Sequence, residues 1–199
     1  KNGQNLKRIT HHSSSDAVAS FDDDGNIYFS TRRAFATVER SAEFFKSNKN
    51  GGTPSRFLDA TALSATISPN GRYVAWVRGT CRAEREAYTG PANRNIWLYD
   101  TKTKKYSELA NNEYQENMPR WAGNNQVFYL SAENGKYNIY SKNIANPTTA
   151  PTAITKEKKV GLRYFSVSAD GKSFAYTQGV GLFVIQNGGK SKKININVT

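Results

Sequence analysis

The sequence predicts an all-β protein, a β-propeller with about four four-stranded blades, and two observations lead to this prediction. A short strand–turn–strand pattern recurs along the chain at the spacing of propeller blades, about 40–50 residues. The composition also suits short strands joined by tight turns, because the 199 residues include 11 Tyr, 10 Phe and 15 Gly.

The repeat is clearest at residues 67–76, where the sequence reads Ile-Ser-Pro-Asn-Gly-Arg-Tyr-Val-Ala-Trp. Residues 167–176 match it almost position for position, and residues 21–29 form a copy that is shorter by one residue. Residues 121–129 form a fourth copy. The turn positions are 25, 71, 125 and 171, so the spacings are 46, 54 and 46 residues.

Each copy is predicted to be a β-hairpin. An apolar strand ends at an Asn/Asp–Gly pair, which turns the chain with positive φ at little cost, and an aromatic-rich strand returns. In the fourth copy Asn125 stands where the others have Gly. Since Asn tolerates the left-handed region better than most residues, Asn124-Asn125 is expected to turn the chain in the same way.

The remaining strands are predicted from aromatic and β-branched runs. Residues 39–47 also fit a helical turn, but the repeat favours a strand. The predicted third strands lie at 42–46, 95–100, 137–140 and 181–185. The predicted fourth strands lie at 56–58, 106–109, 153–155 and 193–196. The chain is expected to form a single, partial propeller over residues 1–199, with blades at about 16–60, 61–112, 113–158 and 159–199.

Residues 5–10 are predicted to be a further edge strand, because Leu6-Lys7-Arg8-Ile9-Thr10 resembles the fourth strand of the other blades. This strand belongs either to a preceding blade or to the last blade, where it would close a ring. The last blade already has a predicted fourth strand near Ile194, which favours the preceding blade.

The net charge of +12 permits a nucleic acid, an anionic membrane or an acidic partner. The lysines are spread over three groups, however, and lysines beside outer strands also prevent edge-to-edge pairing, so a solubilising surface is favoured. Trp76, Trp97 and Trp121 fit inter-blade packing better than base stacking, which makes nucleic-acid binding the weaker interpretation. The lysine groups are Lys102, Lys104 and Lys105; Lys156, Lys158 and Lys159; and Lys190, Lys192 and Lys193.

The sequence excludes several kinds of site and anchor. No run of 18 apolar residues could span a membrane. Cys81 is the only cysteine, so the chain has no internal disulfide and no Cys-rich metal site. The adjacent His11 and His12 would point to opposite faces of a strand, and the acidic run at 22–24 lacks the pattern of a calcium loop. The acidic run at 22–24 is interpreted as part of a hairpin turn, and no metal or cofactor is expected.

No catalytic residue is predicted either. No serine lies in a Gly-x-Ser-x-Gly elbow, and a serine or Cys81 would need a partnered histidine. Ser68 and Ser168 occupy equivalent repeat positions, which indicates structural hydroxyls beside the turns. This chain alone is therefore expected to have no enzymatic activity.

The segment from Arg78 to Arg94 is the candidate binding site, because it is longer than the equivalent link in the other blades and propeller loops gather at one face. Arginine side chains bind carboxylates in a bidentate manner, so the segment could hold peptide carboxylates. The alternative is internal pairing of these arginines with Glu84 and Glu86, which would only order the loop. The candidate peptide-binding residues are Arg78, Arg82, Arg85, Tyr88 and Arg94.

Three stretches resemble the propeller repeats of the TolB-like group and, more closely, the N-terminal propeller of tricorn-type serine peptidases. They are residues 51–58 leading to 67–71, residues 88–90 leading to 95–100, and residues 6–12 leading to Phe21 and Gly25. The resemblance implies a six-bladed ring in front of separate domains that hold the serine protease site. No catalytic residue carries over to this chain. The resemblance also implies a periplasmic or secreted protein, although a cytoplasmic one stays open.

Three functions follow as hypotheses. The first is a non-catalytic module of a tricorn-like peptidase that binds or guides peptides for catalytic domains of the parent chain. The second is a TolB-like scaffold with a protein partner, and the open blade edges could also receive a second copy of the chain. The third is a basic nucleic-acid-binding module, which predicts steeply salt-dependent binding.

Overall fold

The computed structural model describes residues 3–34, 42–61, 63–110 and 112–196, and these ranges contain sixteen strands and no helix. The strands form four sheets of four strands each. In every sheet the strands follow one another in chain order and each pairs with the next in antiparallel fashion. The predicted all-β propeller architecture is confirmed.

The first two sheets are built by the first half of the chain. The first sheet contains β1 (Asp16–Phe21), β2 (Ile27–Thr31), β3 (Glu43–Ser47) and β4 (Ser55–Thr61). The second sheet contains β5 (Leu63–Ile67), β6 (Tyr73–Arg78), β7 (Asn95–Asp100) and β8 (Lys105–Ala110). The strand predicted at 42–46 is therefore present as β3, while residues 39–41 lie outside the described residues.

The last two sheets repeat this arrangement. The third sheet contains β9 (Glu116–Ala122), β10 (Gln126–Ser131), β11 (Asn138–Asn143) and β12 (Thr152–Ala153). The fourth sheet contains β13 (Leu162–Val167), β14 (Phe174–Gln178), β15 (Gly181–Ile185) and β16 (Lys192–Ile194). The first strands β1, β5, β9 and β13 contact one another in sequence, so the sheets fan out from a common axis.

Three hydrophobic cores hold the fan together, one between each pair of adjacent sheets. Tyr28 and Phe44 of the first sheet meet Trp76 of the second. Ile96 of the second sheet belongs to the core that contains Tyr129 of the third. The largest core joins the third and fourth sheets. Its buried members are Ala122, Phe128, Leu130, Ala132, Tyr137, Ile139, Leu162, Phe165, Phe174, Tyr176 and Ile185.

The tryptophans pack between sheets, as the sequence predicts. Trp76 is 3% exposed and lies in the first core, where Trp97 packs against it. The indole N–H of Trp121 donates to the Thr66 carbonyl of the neighbouring sheet at 3.3 Å. None of the three side chains forms an exposed stacking platform for bases.

The turns of the repeat use the predicted structural hydroxyls. The Ser68 hydroxyl accepts the Tyr73 N–H at 2.9 Å, and the Ser168 hydroxyl accepts the Ser173 N–H at 3.0 Å. In the first sheet the Asp22 carboxylate accepts the Asn26 N–H at 2.8 Å, so this aspartate acts in the turn.

The prediction that Asn124-Asn125 supplies the left-handed conformation is wrong, because neither residue has positive φ. The hairpin between β9 and β10 has a three-residue loop, and Gly123 takes the left-handed conformation with φ of +61°. The other copies have longer loops with the glycine at positions 25, 71 and 171. The shorter loop moves the position that needs positive φ towards β9, and a glycine is available there.

Residues 5–10 pair with no strand within the described part of the chain. A β-strand is defined by its hydrogen-bonded neighbour, and each of the four sheets is complete with its own four strands. The segment instead runs beside the first sheet, where the Lys7 ammonium donates to the Asn50 carbonyl at 2.8 Å. The exposed His12 accepts a local hydrogen bond from the Ser14 N–H at 3.0 Å.

Candidate functional site

Each of the four first strands contains a β-bulge at the same level of the fan. The register shifts by one residue between Val18 and Ser20 in β1, and similar shifts occur in β5, β9 and β13. Ser64 and Met118 adopt positive φ of 51° and 52° within two of these bulges. Bulges re-aim side chains and occur often beside functional sites. The four bulges therefore turn residues of every sheet towards the axis.

A cavity of about 360 Å³ lies at this level and is called the axial cavity below. Residues of all four first strands line it, including Val18, Ser64, Met118 and Tyr164. This volume is at the lower end of the range of small-ligand pockets. The cavity can hold a short stretch of a ligand that lies along the axis.

The axial cavity has an excess of positive charge. Arg94, Arg120 and Arg163 line it, and Glu84 is its single acidic residue among the described lining. Within the described residues none of these arginines forms an ion pair. Burial lowers the pKa of Arg120 from its ordinary value, yet a guanidinium stays charged at neutral pH. The cavity is therefore suited to an anionic group.

Two buried polar atoms of the lining have no partner among the described residues. They are the hydroxyl of Tyr137, which is 2% exposed, and Oδ1 of Asn117, which is 8% exposed. A buried polar atom without a hydrogen bond costs about 1–3 kcal/mol. Each of these two atoms has less than 1 Å² of accessible surface, so it lies behind the cavity wall and is not in reach of a ligand inside the cavity.

The 78–94 segment covers one side of the axial cavity and is fixed by its own contacts. The Cys81 N–H donates to the Ala92 carbonyl at 2.9 Å, which closes the base of the segment. The Arg94 Nε donates to the Cys81 carbonyl at 2.5 Å. Ala83 and Glu84 of the same segment also line the axial cavity.

This segment also reaches the third sheet. The Glu86 carboxylate pairs with the Lys136 ammonium at 3.1 Å, and the Tyr88 carbonyl accepts the Gln115 side-chain amide at 3.2 Å. The alternative that its arginines pair internally with Glu84 and Glu86 is therefore wrong, because Glu86 has a lysine of another sheet as its partner. No ion pair joins an arginine of this segment to either glutamate in the part of the chain that the structure describes.

The structure brings one of the five predicted site residues into the axial cavity. Arg94 lines it, whereas Arg78 lies 4.9 Å over the Trp97 ring and Arg85 lies 4.9 Å over the Tyr88 ring. Arg82 is exposed and does not line the axial cavity. The predicted residues thus share a segment but do not form one cluster around the cavity.

Sequence reasoning missed the residues that the other sheets contribute. Asn117 and Arg120 lie in β9 and Arg163 lies in β13, at positions before the predicted repeat copies, and Tyr137 comes directly before β11, in a run predicted only as a third strand. The bulges interrupt the alternation of inward and outward residues, so periodicity does not identify the side chains that face the axis. A usable signal is the position of three of these residues in or beside a bulged first strand of a repeat.

Cys81 and the potential metal ligands do not form a second site within the described residues. Cys81 is buried, and its sulfur lies 3.6 Å from the Arg82 carbonyl. In the described part of the chain no three His, Cys, Asp or Glu side chains come together as metal ligands. No helix of the described residues is long and apolar enough to cross a membrane.

Comparison with solved structures agrees with this architecture. The crystal structure of the tricorn protease matches 100% of this chain and 20% of its own chain, with 20% identity and a TM-score of 0.76. TolB from Acinetobacter baumannii matches 96% of this chain and 46% of its own, with 15% identity and a TM-score of 0.71. The propeller domain of the Trilobed protease from Pyrococcus furiosus matches 93% of this chain and 58% of its own chain, with 10% identity and a TM-score of 0.57. At these identities the likeness concerns the fold.

This chain therefore spans a fifth of the tricorn protease chain that it matches and less than half of the TolB chain. A comparison with curated proteins gives no significant match. The family model of the tricorn protease N-terminal β-propeller domain matches residues 1–191, almost the whole chain. With its four fanned sheets and this match, the chain belongs to the family of tricorn protease N-terminal β-propeller domains.

Proposed function

We propose that this chain is a non-catalytic propeller module that binds extended peptides at its axis and guides them towards the catalytic domains of a parent protease. The observation that carries the proposal is the axial cavity, which all four sheets line and which contains Arg94, Arg120 and Arg163. Membership of the tricorn propeller family supports a role beside a protease.

The chemistry of the cavity favours a peptide. Arginine side chains bind carboxylates through two parallel hydrogen bonds, and peptides carry carboxylates at their C-termini and on acidic side chains. Met118 and Tyr164 add apolar surface beside the charged groups. Pockets that fix small ligands combine apolar walls with a few polar groups in this way.

A protein-binding scaffold is the second candidate, and exposed apolar side chains favour it. Val18 is 63% exposed and Tyr164 is 67% exposed, and both border the axial cavity. Apolar residues that stay accessible beside a cavity are typical of surfaces that receive a protein partner.

The peptide function is tested by fluorescence anisotropy with short, mixed-sequence peptides that carry a label at the N-terminus. We expect weak binding by the wild-type chain and a loss of affinity in Arg163→Ala. Arg163 is a suitable position because it is exposed and makes no hydrogen bond or ion pair with the described residues through its side chain.

The matched comparison is the double variant Arg82→Ala/Arg85→Ala, which removes two exposed arginines outside the cavity. We expect it to retain peptide binding. If the double variant lost peptide affinity while Arg163→Ala retained it, the binding site would instead lie on the outer surface of the 78–94 segment. A wild-type chain that binds no peptide would contradict the peptide function itself.

A further inference from the structure

We infer that a groove between the outer parts of the second and third sheets binds an extended, acidic segment of a partner protein, which adds to β8 as a further strand. This groove, called the edge groove below, has a volume of about 390 Å³. Its lining shares no residue with the axial cavity. The inference is therefore independent of the proposed function.

The edge groove exists because the outer strand of the third sheet is short. β8 has six residues, whereas β12 has two, and Pro147 lies in the loop that leads to β12. Proline has no N–H group to contribute to a sheet, so this part of the chain does not lengthen β12. The outer part of the second sheet is therefore left partly uncovered, and the half-buried Ile144 and the exposed Pro147 form an apolar wall opposite it.

β8 is an edge strand. It pairs with β7 on one side, and no strand of the described residues pairs with its other side. Residues 105–108 are exposed, and all four line the edge groove. The unpaired side of such a strand has backbone N–H and C=O groups with which an extended segment can form hydrogen bonds.

The pairing of β8 with β7 shows which of its side chains face the groove. Ser107 pairs with Leu98, which belongs to the core between the second and third sheets. Since paired residues share a face, and residues two apart in a strand do as well, Ser107 and Lys105 both face the third sheet. Glu108 pairs with Trp97, which packs in the first core, so the Glu108 carboxylate lies on the opposite face.

The charges on the groove side favour an acidic segment. Lys105 is exposed on β8, and Lys142 lines the groove from β11 of the third sheet. Neither ammonium forms an ion pair with the described residues. Asp100 also lines the groove, but its carboxylate pairs with the Arg72 guanidinium at 2.9 Å. An anionic side chain is therefore the complementary group for the two lysines.

The same lysines disfavour other strands as occupants. A lysine on an edge strand discourages pairing with neutral or basic strands. The last edge strand of this chain, β16, itself begins with Lys192 and Lys193, so a second copy would bring like charges together. The segment that fits has acidic side chains and an apolar side chain on one face, two residues apart, because alternate residues of a strand face the same side.

The probe is the peptide Thr-Glu-Thr-Val-Thr-Glu-Thr with a fluorescent label at the N-terminus and an amide at the C-terminus. Its sequence reads the same in both directions, so it serves for parallel and antiparallel addition. One comparison peptide has Lys in place of both Glu residues, and another has N-methyl groups on its three central residues. In anisotropy titrations we expect the acidic peptide to bind about tenfold more tightly than the lysine peptide, and the N-methylated peptide not to bind.

A pair of charge variants tests the assigned lysine. In Lys105→Glu we expect the affinity for the acidic peptide to fall by about fivefold and the affinity for the lysine peptide to rise. The matched control is Lys102→Glu, which makes the same change at an exposed position nearby that does not line the groove. We expect this control to keep the wild-type affinities.

The remaining outcomes would overturn the inference in distinct ways. Equal affinity for the acidic and lysine peptides would overturn the charge assignment, and binding of the N-methylated peptide would overturn strand addition. Loss of affinity in Arg163→Ala, with Lys105→Glu unchanged, would place the peptide in the axial cavity. Absence of binding by the acidic peptide would overturn the inference and leave the proposed function untouched.

Discussion

Glu116 begins β9 with a fully buried carboxyl group. One of its carboxyl oxygens accepts the Ile96 N–H at 3.2 Å, and the other accepts the Asn112 side-chain amide at 2.9 Å. Burial nevertheless dominates and raises its pKa from 4.5 to about 8, although these hydrogen bonds and Lys142 oppose the rise while Glu133 adds to it. At neutral pH the folded protein therefore keeps this group largely protonated.

The raised pKa makes stability depend on pH. Because the folded pKa lies above the unfolded value, the stability that Glu116 contributes is fully present below about pH 4.5 and is lost as the pH rises through about 8. In Glu116→Gln we expect the free energy of unfolding to fall less steeply over this window, by on the order of 1.4 kcal/mol per pH unit. Urea denaturation at several pH values measures this difference.

Glu108→Gln is the matched control, because Glu108 is exposed on β8. Parallel stability profiles for Glu116→Gln and Glu108→Gln would contradict the raised pKa. At the scale of single residues the sequence predicted the turn roles of Ser68, Ser168 and Asp22, because their positions recur in the repeat. It did not predict the burial of Glu116, which depends on how the second and third sheets meet.

Among the elements, the 78–94 segment depends on a close contact between the backbones of Gly79 and Asn93. Gly79 has φ of +128°, and a Cβ at this position would lie 2.0 Å from the Asn93 carbonyl oxygen. The Asn93 side-chain amide in turn donates to the carbonyls of Asn112 and Tyr114 at 3.0 and 2.8 Å. The backbones of Gly79 and Asn93 thus lie in close contact near the two ends of the segment, and the Asn93 side chain holds this point to the residues before β9.

Gly79→Ala is therefore expected to open the segment. Gly135→Ala is the comparison, because Gly135 also has positive φ, +79°, but open space around it, so its substitution should cost about 1 kcal/mol. We expect Gly79→Ala to cost several times more and to increase amide hydrogen exchange over residues 80–93. Similar unfolding free energies for the two variants would contradict the tight approach.

The elements themselves were largely predictable from the sequence. Aromatic and β-branched runs located β7 and β15 with the observed bounds, since short strands with these residues read clearly between turn residues. The loop at Asn125 was not predicted correctly, because the repeat does not reveal that one hairpin is shorter. The bulges in the first strands were not predicted, because in the sequence they appear only as an interruption of the alternation between apolar and polar residues.

For the molecule as a whole, the two ends of the fan differ. On the first sheet Phe29 and Phe45 are buried on the side away from the second sheet, where the Arg33 guanidinium lies 5.2 and 5.6 Å from their rings. On the fourth sheet Ala175, which pairs with Val184, is exposed on the side away from the third. The outer face of the fourth sheet is therefore the more accessible one.

This accessible face predicts self-association of the chain. We expect size-exclusion chromatography with light scattering to detect dimers at high concentration, and Val184→Lys to shift the population to monomer. Thr103→Lys, which adds the same charge at an exposed turn of the second sheet, should leave the dimer unchanged. A stable wild-type monomer at all concentrations would contradict this prediction.

At this scale the sequence identified the fold and the family, since the repeat and its spacing carry both. The site was predicted only in part. Arg94 belongs to an unusually long loop and was therefore noticed, whereas Arg120 and Arg163 approach the axis only through the assembly of several sheets. The export to the periplasm that the resemblance implies stays a prediction.

The contacts of the 78–94 segment with the third sheet also influence the order in which the sheets unfold. In an array where each unit touches only its neighbours, the end units open with the lowest free energy. The Glu86–Lys136 pair and the Tyr88–Gln115 hydrogen bond add a second connection between the two middle sheets. We therefore expect the two middle sheets to stay together when the first sheet, which has the smallest core, separates, and the part of the cavity wall formed by Arg94 and Asn117 to remain in place.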